Sequence, residues 1–322
     1  MVEAAVAAFR YYDCHPAPAD LYAEVIGGLS REPRSIPPKF FYDEAGSRLF
    51  DAICATPEYY PARVETGIIR RRLAEIAACV GSGGVLIEPG SGDCRKVREL
   101  LAAVRPCAYV PVDISGAWLR QAACRLAAEF PWLEIHAVCA DFTAPIDLPC
   151  RPGGARRVAF FPGSSIGNFD PGEAVVFLSH LAAMVQPGGG LLIGVDLKKD
   201  AAVLNAAYND AQGLTAAFNR NLLVRVNRDL AADFKVERFR HHAFYNQAEG
   251  RVEMHLVSRI RQRVRIGDRS FDFEPGEGIH TENSYKYTVA QFQQLAERAG
   301  FEPVRVWTDA DGLFSVHYLA VR

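Results

Sequence analysis

Near the end of the chain lies the stretch GIHTENSYKYT, residues 278–288. In an extended segment successive side chains alternate sides. Glu282 and Ser284 then point one way and Asn283 the other. A carboxylate only accepts hydrogen bonds, whereas a hydroxyl donates and accepts. Held side by side, the two are either aimed at a ligand or part of an exposed polar face. A second candidate group is spread over three places. In IEPGSGDCRKV, Gly90 and Gly92 flank Ser91 and let the backbone approach a ligand closely. A helix opening there would add free N–H groups. Asp113 ends the next apolar run and can take both hydroxyls of a ribose. Asp141 and Phe142 end the one after. An acid there can accept an adenine amino group while the aromatic covers the ring. Singly, each is also a tight turn or a helix cap. In order, at three successive strand ends, they point to a nucleoside.

The elements that must position these residues follow from hydrophobic runs. GVLIEPG, CAYVPVD, LEIHAVCAD, RVAFFPG and GLLIGVD are apolar strands, separated by segments such as RKVRELLAAV with helical periodicity. Such alternation implies a parallel sheet covered on both faces. Residues 200–232 read as helical, and 235–274 as two or three antiparallel strands. A helix over 288–299 and strands over 301–307 and 313–321 resume the α/β rhythm. The expected division is a sheet domain over 63–196 and 288–322, with 1–62 and 197–287 forming a second lobe outside the sheet. That lobe is expected to close over the carboxyl ends of the strands, where ligands bind in open α/β sheets.

Composition removes other classes. Among 322 residues, Lys+Arg number 36 and Asp+Glu 38, a balance that favours neither nucleic acid nor an anionic membrane as partner. The arginines at 259, 261, 263 and 265 read as a solvated strand face. Eight dispersed cysteines form no CxxC and no zinc spacing, so no metal is expected, the thiols read as reduced and the compartment as cytoplasmic. The N-terminus lacks the basic region of a signal peptide, and no run has membrane-spanning length.

The ordered glycine loop, Asp113 and Asp141-Phe142, together with the final helix, strand and strand, resemble class I S-adenosylmethionine-dependent methyltransferases. The dinucleotide fingerprint fails at its third glycine, where Arg95 stands. After the fourth strand, FFPGSSIGNFDPGE reads as a cradle for a small polar substrate, or as a structural turn. Taken with IPPKFFYDEAGSRLFDAICATPEYYPARVE, YNDAQGLTAAFNRNLL and TENSYKY, the chain resembles the histidine α-N-methyltransferases that form hercynine on the ergothioneine pathway. The resemblance covers nearly the whole chain.

By position, it implies that Tyr42, Gly90, Ser91, Gly92, Lys96, Asp113, Asp141 and Phe142 contact S-adenosylmethionine. It implies that Tyr59, Asn168 and Tyr208 surround the substrate's carboxylate and amine, with Tyr59 and Asn168 nearest the chemistry. Gly163 and Ser165 line the same place; the family often has Thr at the latter position. Phe50 matches an aromatic wall, and Met254, Glu282 and Ser284 match the imidazole pocket. The implied fold is a Rossmann-like class I methyltransferase sheet with an antiparallel last strand, plus an α+β substrate lobe. The implied enzyme is a monomer acting on a free amino acid.

Methyl transfer to an amine is an in-line displacement, with reacting atoms about 3–3.5 Å apart. An α-amino group with pKa near about 8 is partly neutral at pH 7, so no strong base is required. Three transfers end in a quaternary cation, which the faces of Phe50 and Tyr59 suit. The rival readings are a relative acting on another amino acid or histidine derivative, a nicotinamide-dependent oxidoreductase, and a silent binding module.

Overall fold

The computed structural model describes residues 9–14, 21–146, 148 and 154–322. It divides into two compact units. One comprises Met1–Pro16, Pro61–Lys198 and Tyr287–Arg322; the other comprises Ala17–Tyr60 and Lys199–Lys286.

The first unit is built on six parallel strands: β1 (Phe9–Asp13), β2 (Val85–Pro89), β3 (Ala108–Asp113), β4 (Glu134–Cys139), β5 (Arg157–Phe161) and β6 (Gly190–Asp196). Across the sheet they run β1, β4, β3, β2, β5, β6, followed by Phe314–Val321 and Phe301–Thr308. Phe314–Val321 pairs antiparallel with β6, as the closing helix, strand and strand suggested. Every residue of β2 and β6 is buried, which is why these strands read as unbroken apolar runs. From β2 the chain steps outward to β3 and β4, then returns to β5 on the other flank of β2. Such a reversal is the topological switch point of an open α/β sheet. The segments 90–92, 141–142 and 162–165, and Asp113 itself, all lie at the carboxyl ends of these strands.

Two expectations change. Residues 1–62 do not all stand outside the sheet, because β1 pairs in parallel with β4 along its edge. That strand is short and only half-buried, with Phe9 and Tyr11 packed on the core, so it carries little of the pattern that marks a buried strand. The glycine loop also does not open directly into a helix. Turns follow it, and the helix begins at Arg98.

The second unit holds a three-stranded antiparallel sheet in the order β11, β8, β7, from β7 (Phe239–Asn246), β8 (Arg251–Ser258) and β11 (Gly278–Tyr285). A separate two-stranded sheet pairs β9 (Gln262–Ile266) with β10 (Arg269–Phe273). The region read as two or three strands thus holds four, because the run after Gly250 breaks at Ser258. There the Ser258 hydroxyl donates to the Ile260 carbonyl at 2.8 Å, and the Gly276 amide donates to the Ser258 carbonyl at 2.8 Å. Arg263 and Arg265 are exposed on β9, as expected, and pair with Asp272 and Asp233. Helix Leu214–Leu230 packs on β7 and β8 and on helix Glu44–Cys54. Among the described residues no helix is long and apolar enough to cross a membrane.

Candidate active-site residues

In the first unit the glycine loop is shaped for close approach. Gly90 and Gly92 have φ of +68° and +54°, the left-handed region that favours glycine. A Cβ at Gly90 would lie 3.2 Å from the ring of Phe142. The Gly92 amide donates to Asp113 Oδ2 at 2.9 Å and the Ser115 amide to Oδ1 at 2.9 Å. Burial pushes the Asp113 carboxyl above its usual range, and these backbone donors pull it back. Asp141 accepts from the amide and hydroxyl of Thr143, at 3.0 and 2.6 Å. Both acids therefore serve as turn caps as well as standing at strand ends. Phe142 packs on Phe161 and Phe177, with centroids 5.9 and 6.0 Å away.

The loop after β5 joins this group through a residue not singled out in the sequence, Glu65. Its carboxylate is buried, accepting from Lys96 Nζ at 2.9 Å and from the Gly163 amide at 2.7 Å. Gly163 has φ +87°, and a Cβ there would lie 2.9 Å from Lys96 Nζ and 3.7 Å from Ser165 Oγ. Lys96, Gly163 and Ser165 are thus brought together. Asn168 ends the short 3-10 turn Ser165–Asn168 beside them. Ser164, left-handed at φ +58°, accepts from the Asp196 amide at 2.9 Å. A second acid the sequence reading passed over is Glu88. It is buried in β2 and accepts from the Tyr109 hydroxyl, and burial pushes its carboxyl up to about 8. Its signal was visible as a lone carboxylate inside an apolar run.

A nucleoside cosubstrate fits these residues. They offer a glycine loop open to approach, a carboxylate at a strand end, and the Ser91 hydroxyl, buried with no hydrogen-bond partner among the described residues.

In the second unit the aromatic residues form a connected set. Ring centroids run Tyr42–Phe50 at 5.9 Å, Phe50–Tyr59 at 6.1 Å and Tyr59–Tyr208 at 6.3 Å. Phe218 adds contacts to Tyr42 and Phe50 at 5.8 and 6.0 Å. Tyr42, assigned to the cofactor set, therefore sits among substrate-set aromatics. Tyr60 diverges from Tyr59: it is buried, and Lys199 Nζ donates to its hydroxyl at 2.5 Å. Burial, with Tyr208, Cys54, Tyr42 and Glu282 adding, holds the Tyr59 hydroxyl well above its usual range.

The alternation read at 282–284 is present. Glu282 lies opposite Met254 on β8, Asn283 opposite Glu253, and Ser284 opposite Val252. A bulge between His280 and Glu282 resets the strand, so Thr281 and Glu282 are both buried. The Ser284 hydroxyl accepts from Tyr208 at 2.7 Å and from Lys286 Nζ at 2.8 Å. Burial pushes the Glu282 carboxyl up to about 7, while the Lys286 charge draws it down. Lys286 was not singled out in the sequence. On the other side of β8 and β11, Glu253, His255 and His280 bring ligating atoms within 4.8 Å of one another. There Glu253 already accepts from Arg251, Asn246 and His255.

The model of a family described as histidine-specific, S-adenosylmethionine-dependent methyltransferases matches residues 21–321. The chain is 44% identical over 306 residues to the histidine N-alpha-methyltransferase of Mycobacterium tuberculosis (strain CDC 1551 / Oshkosh), covering 93% of this chain and 94% of that one. It is 44% identical over 319 residues to the protein of the same name from Mycolicibacterium smegmatis, covering 97% and 98%. Ergothioneine biosynthesis protein 1 of Neurospora crassa is 29% identical over 308 residues, covering 89% of this chain and 33% of that longer one.

Proposed function

The chain belongs to the histidine-specific, S-adenosylmethionine-dependent methyltransferases, and on that premise we propose that it methylates the α-amino nitrogen of free L-histidine, up to three times, to give hercynine for ergothioneine biosynthesis. The observation that carries the choice of substrate is the buried pair on β11. Glu282 and Ser284 stand on one side of the strand with Met254 opposite Glu282, a carboxylate, a hydroxyl and a soft apolar surface together. A neutral imidazole has one donor and one acceptor nitrogen. Glu282 takes the N–H, Ser284 satisfies the other nitrogen, and Met254 packs on the ring.

The bound S-adenosylmethionine supplies an activated methyl on a sulfonium. Asp113, oriented by the amides of Gly92 and Ser115, would hold the ribose hydroxyls, and the Gly90–Gly92 loop would take the rest of the nucleoside. Lys96 and the Gly163 amide are held in place by Glu65. Asp141 and Phe142 serve the adenine end. Tyr59 and Tyr208 of the second unit offer the substrate's carboxylate and amine neutral donors, and Phe50 with Tyr59 present faces to the growing cation. In this division of labour the first unit serves the nucleoside and the second the amino-acid side chain. With carboxylate and ring fixed, the amine turns between transfers.

The test is to incubate the protein with S-adenosylmethionine and all twenty amino acids and follow mass. Histidine alone should gain one, two and three methyl groups. Methylation of another amino acid instead would overturn the substrate, and a ladder stopping at one would overturn the trimethylation.

A further inference from the structure

Lys286 is among the largest fully buried side chains of the protein. Its ammonium donates to Ser284 Oγ at 2.8 Å and to the Tyr208 hydroxyl at 3.1 Å, and Tyr208 in turn donates to Ser284 at 2.7 Å. An ammonium has donors only, and a hydroxyl has one proton and two lone pairs. Both lone pairs of Ser284 are therefore taken. What Ser284 has left to offer a ligand is its own proton.

We propose that Lys286 is a positioning residue that fixes the Ser284 hydroxyl as a donor, so that the site accepts the neutral imidazole ring and refuses the protonated one. This rests on the reading of Glu282 and Ser284 as the ring site. Neutral imidazole gives its N–H to Glu282 and takes the Ser284 proton on its other nitrogen. Imidazolium carries two N–H groups, so one meets the Ser284 proton head-on. A ring with an N–H but no acceptor nitrogen, such as indole, leaves the Ser284 proton unpaired, a discrimination of the kind built-in hydrogen-bond sites make best. The titratable groups facing Lys286 are Glu282 of β11, Tyr208 after helix Ala201–Ala207, and Tyr245 of β7. Burial raises the Tyr245 hydroxyl above its ordinary value, so it stays neutral at the pH values used below. Without Lys286, Glu282 loses the charge that favours its ionised form.

The test uses calorimetric binding of N,N,N-trimethyl-L-histidine, whose quaternary nitrogen does not titrate, in the presence of S-adenosylhomocysteine. Between pH 7.5 and 5.5 the wild-type affinity should fall about tenfold or more, because the ring protonates near about pH 6.5. Lys286→Met should bind more weakly at pH 7.5 and lose much of that acid-side fall, and Lys286→Arg should restore both. In a Ser284→Ala background, Lys286→Met should flatten the profile no further, which separates hydroxyl direction from charge alone. Wild-type affinity independent of pH overturns the proposal without need of any variant. So does a Lys286→Met profile that follows wild type. Failure of wild type to bind the histidine derivative, with turnover of a different amino acid, overturns the ring reading itself.

Discussion

A carboxylate at residue 282 is set against its own burial. The folded state favours its protonated form, raising its pKa from the ordinary 4.5 to about 7. Its contribution to stability is therefore full below about pH 4.5 and is lost as pH rises through about 7. On the proposed reading, an imidazole N–H bound there reverses that preference by hydrogen-bonding the charged form. Removing the acceptor should then cost the ring contact and little else. Glu282→Ala is expected to narrow the preference for histidine over phenylalanine by about 1–3 kcal/mol, the worth of a charge-assisted hydrogen bond. The check is the ratio of the two kcat/KM values; an unchanged ratio would remove Glu282 from the ring site. Asp113→Ala, by contrast, should weaken S-adenosylhomocysteine binding and leave that ratio alone.

At the level of elements, β6 makes room for the chemistry of its neighbours. A Cβ at Gly194 would lie 1.9 Å from Glu65 Oε1 and 3.0 Å from the Phe314 ring. Glu65 is the tie between Lys96 and the Gly163 loop, so the missing side chain in β6 determines where that loop is held. Gly194→Ala should destabilise the protein by about 1–3 kcal/mol through overpacking. It should also weaken S-adenosylhomocysteine binding, because the displaced carboxylate releases both partners. Gly172, near the start of helix Pro171–Val185, has nothing within 4 Å of its Cβ position, and Gly172→Ala is the control that should leave both properties intact. Urea denaturation and calorimetry on the two variants test the contrast. Equal behaviour would mean that Glu65 moves aside at no cost.

For the whole molecule, the deciding question is which nucleoside stabilises the chain. S-adenosylhomocysteine at a hundred times its Kd should raise folding stability by about 2.7 kcal/mol. NAD should leave the melting temperature where it was. Stabilisation by NAD instead would revive the oxidoreductase reading. Much of this could be read locally. Continuous apolar runs ending in glycine or aspartate are marks of buried parallel strands, and they placed β2 to β6 and the loops at their ends. Strict alternation alone puts Glu282 and Ser284 on one side of an extended segment. Other features carry no such local mark. The edge strand β1 is too short and too exposed to show a buried strand's pattern, and the run after Gly250 divides between two sheets only because Ser258 finds partners near Gly276. Glu65 and Lys286 look like ordinary charges in their own segments. Their importance comes from partners distant in the chain, Gly163 for one and Tyr208 for the other. Residue type, periodicity and turn chemistry are short-range properties, and they determined the class of protein and which residues stand at the ends of its strands. Which buried charge meets which partner depends on how the elements pack, and only the tertiary structure decided that.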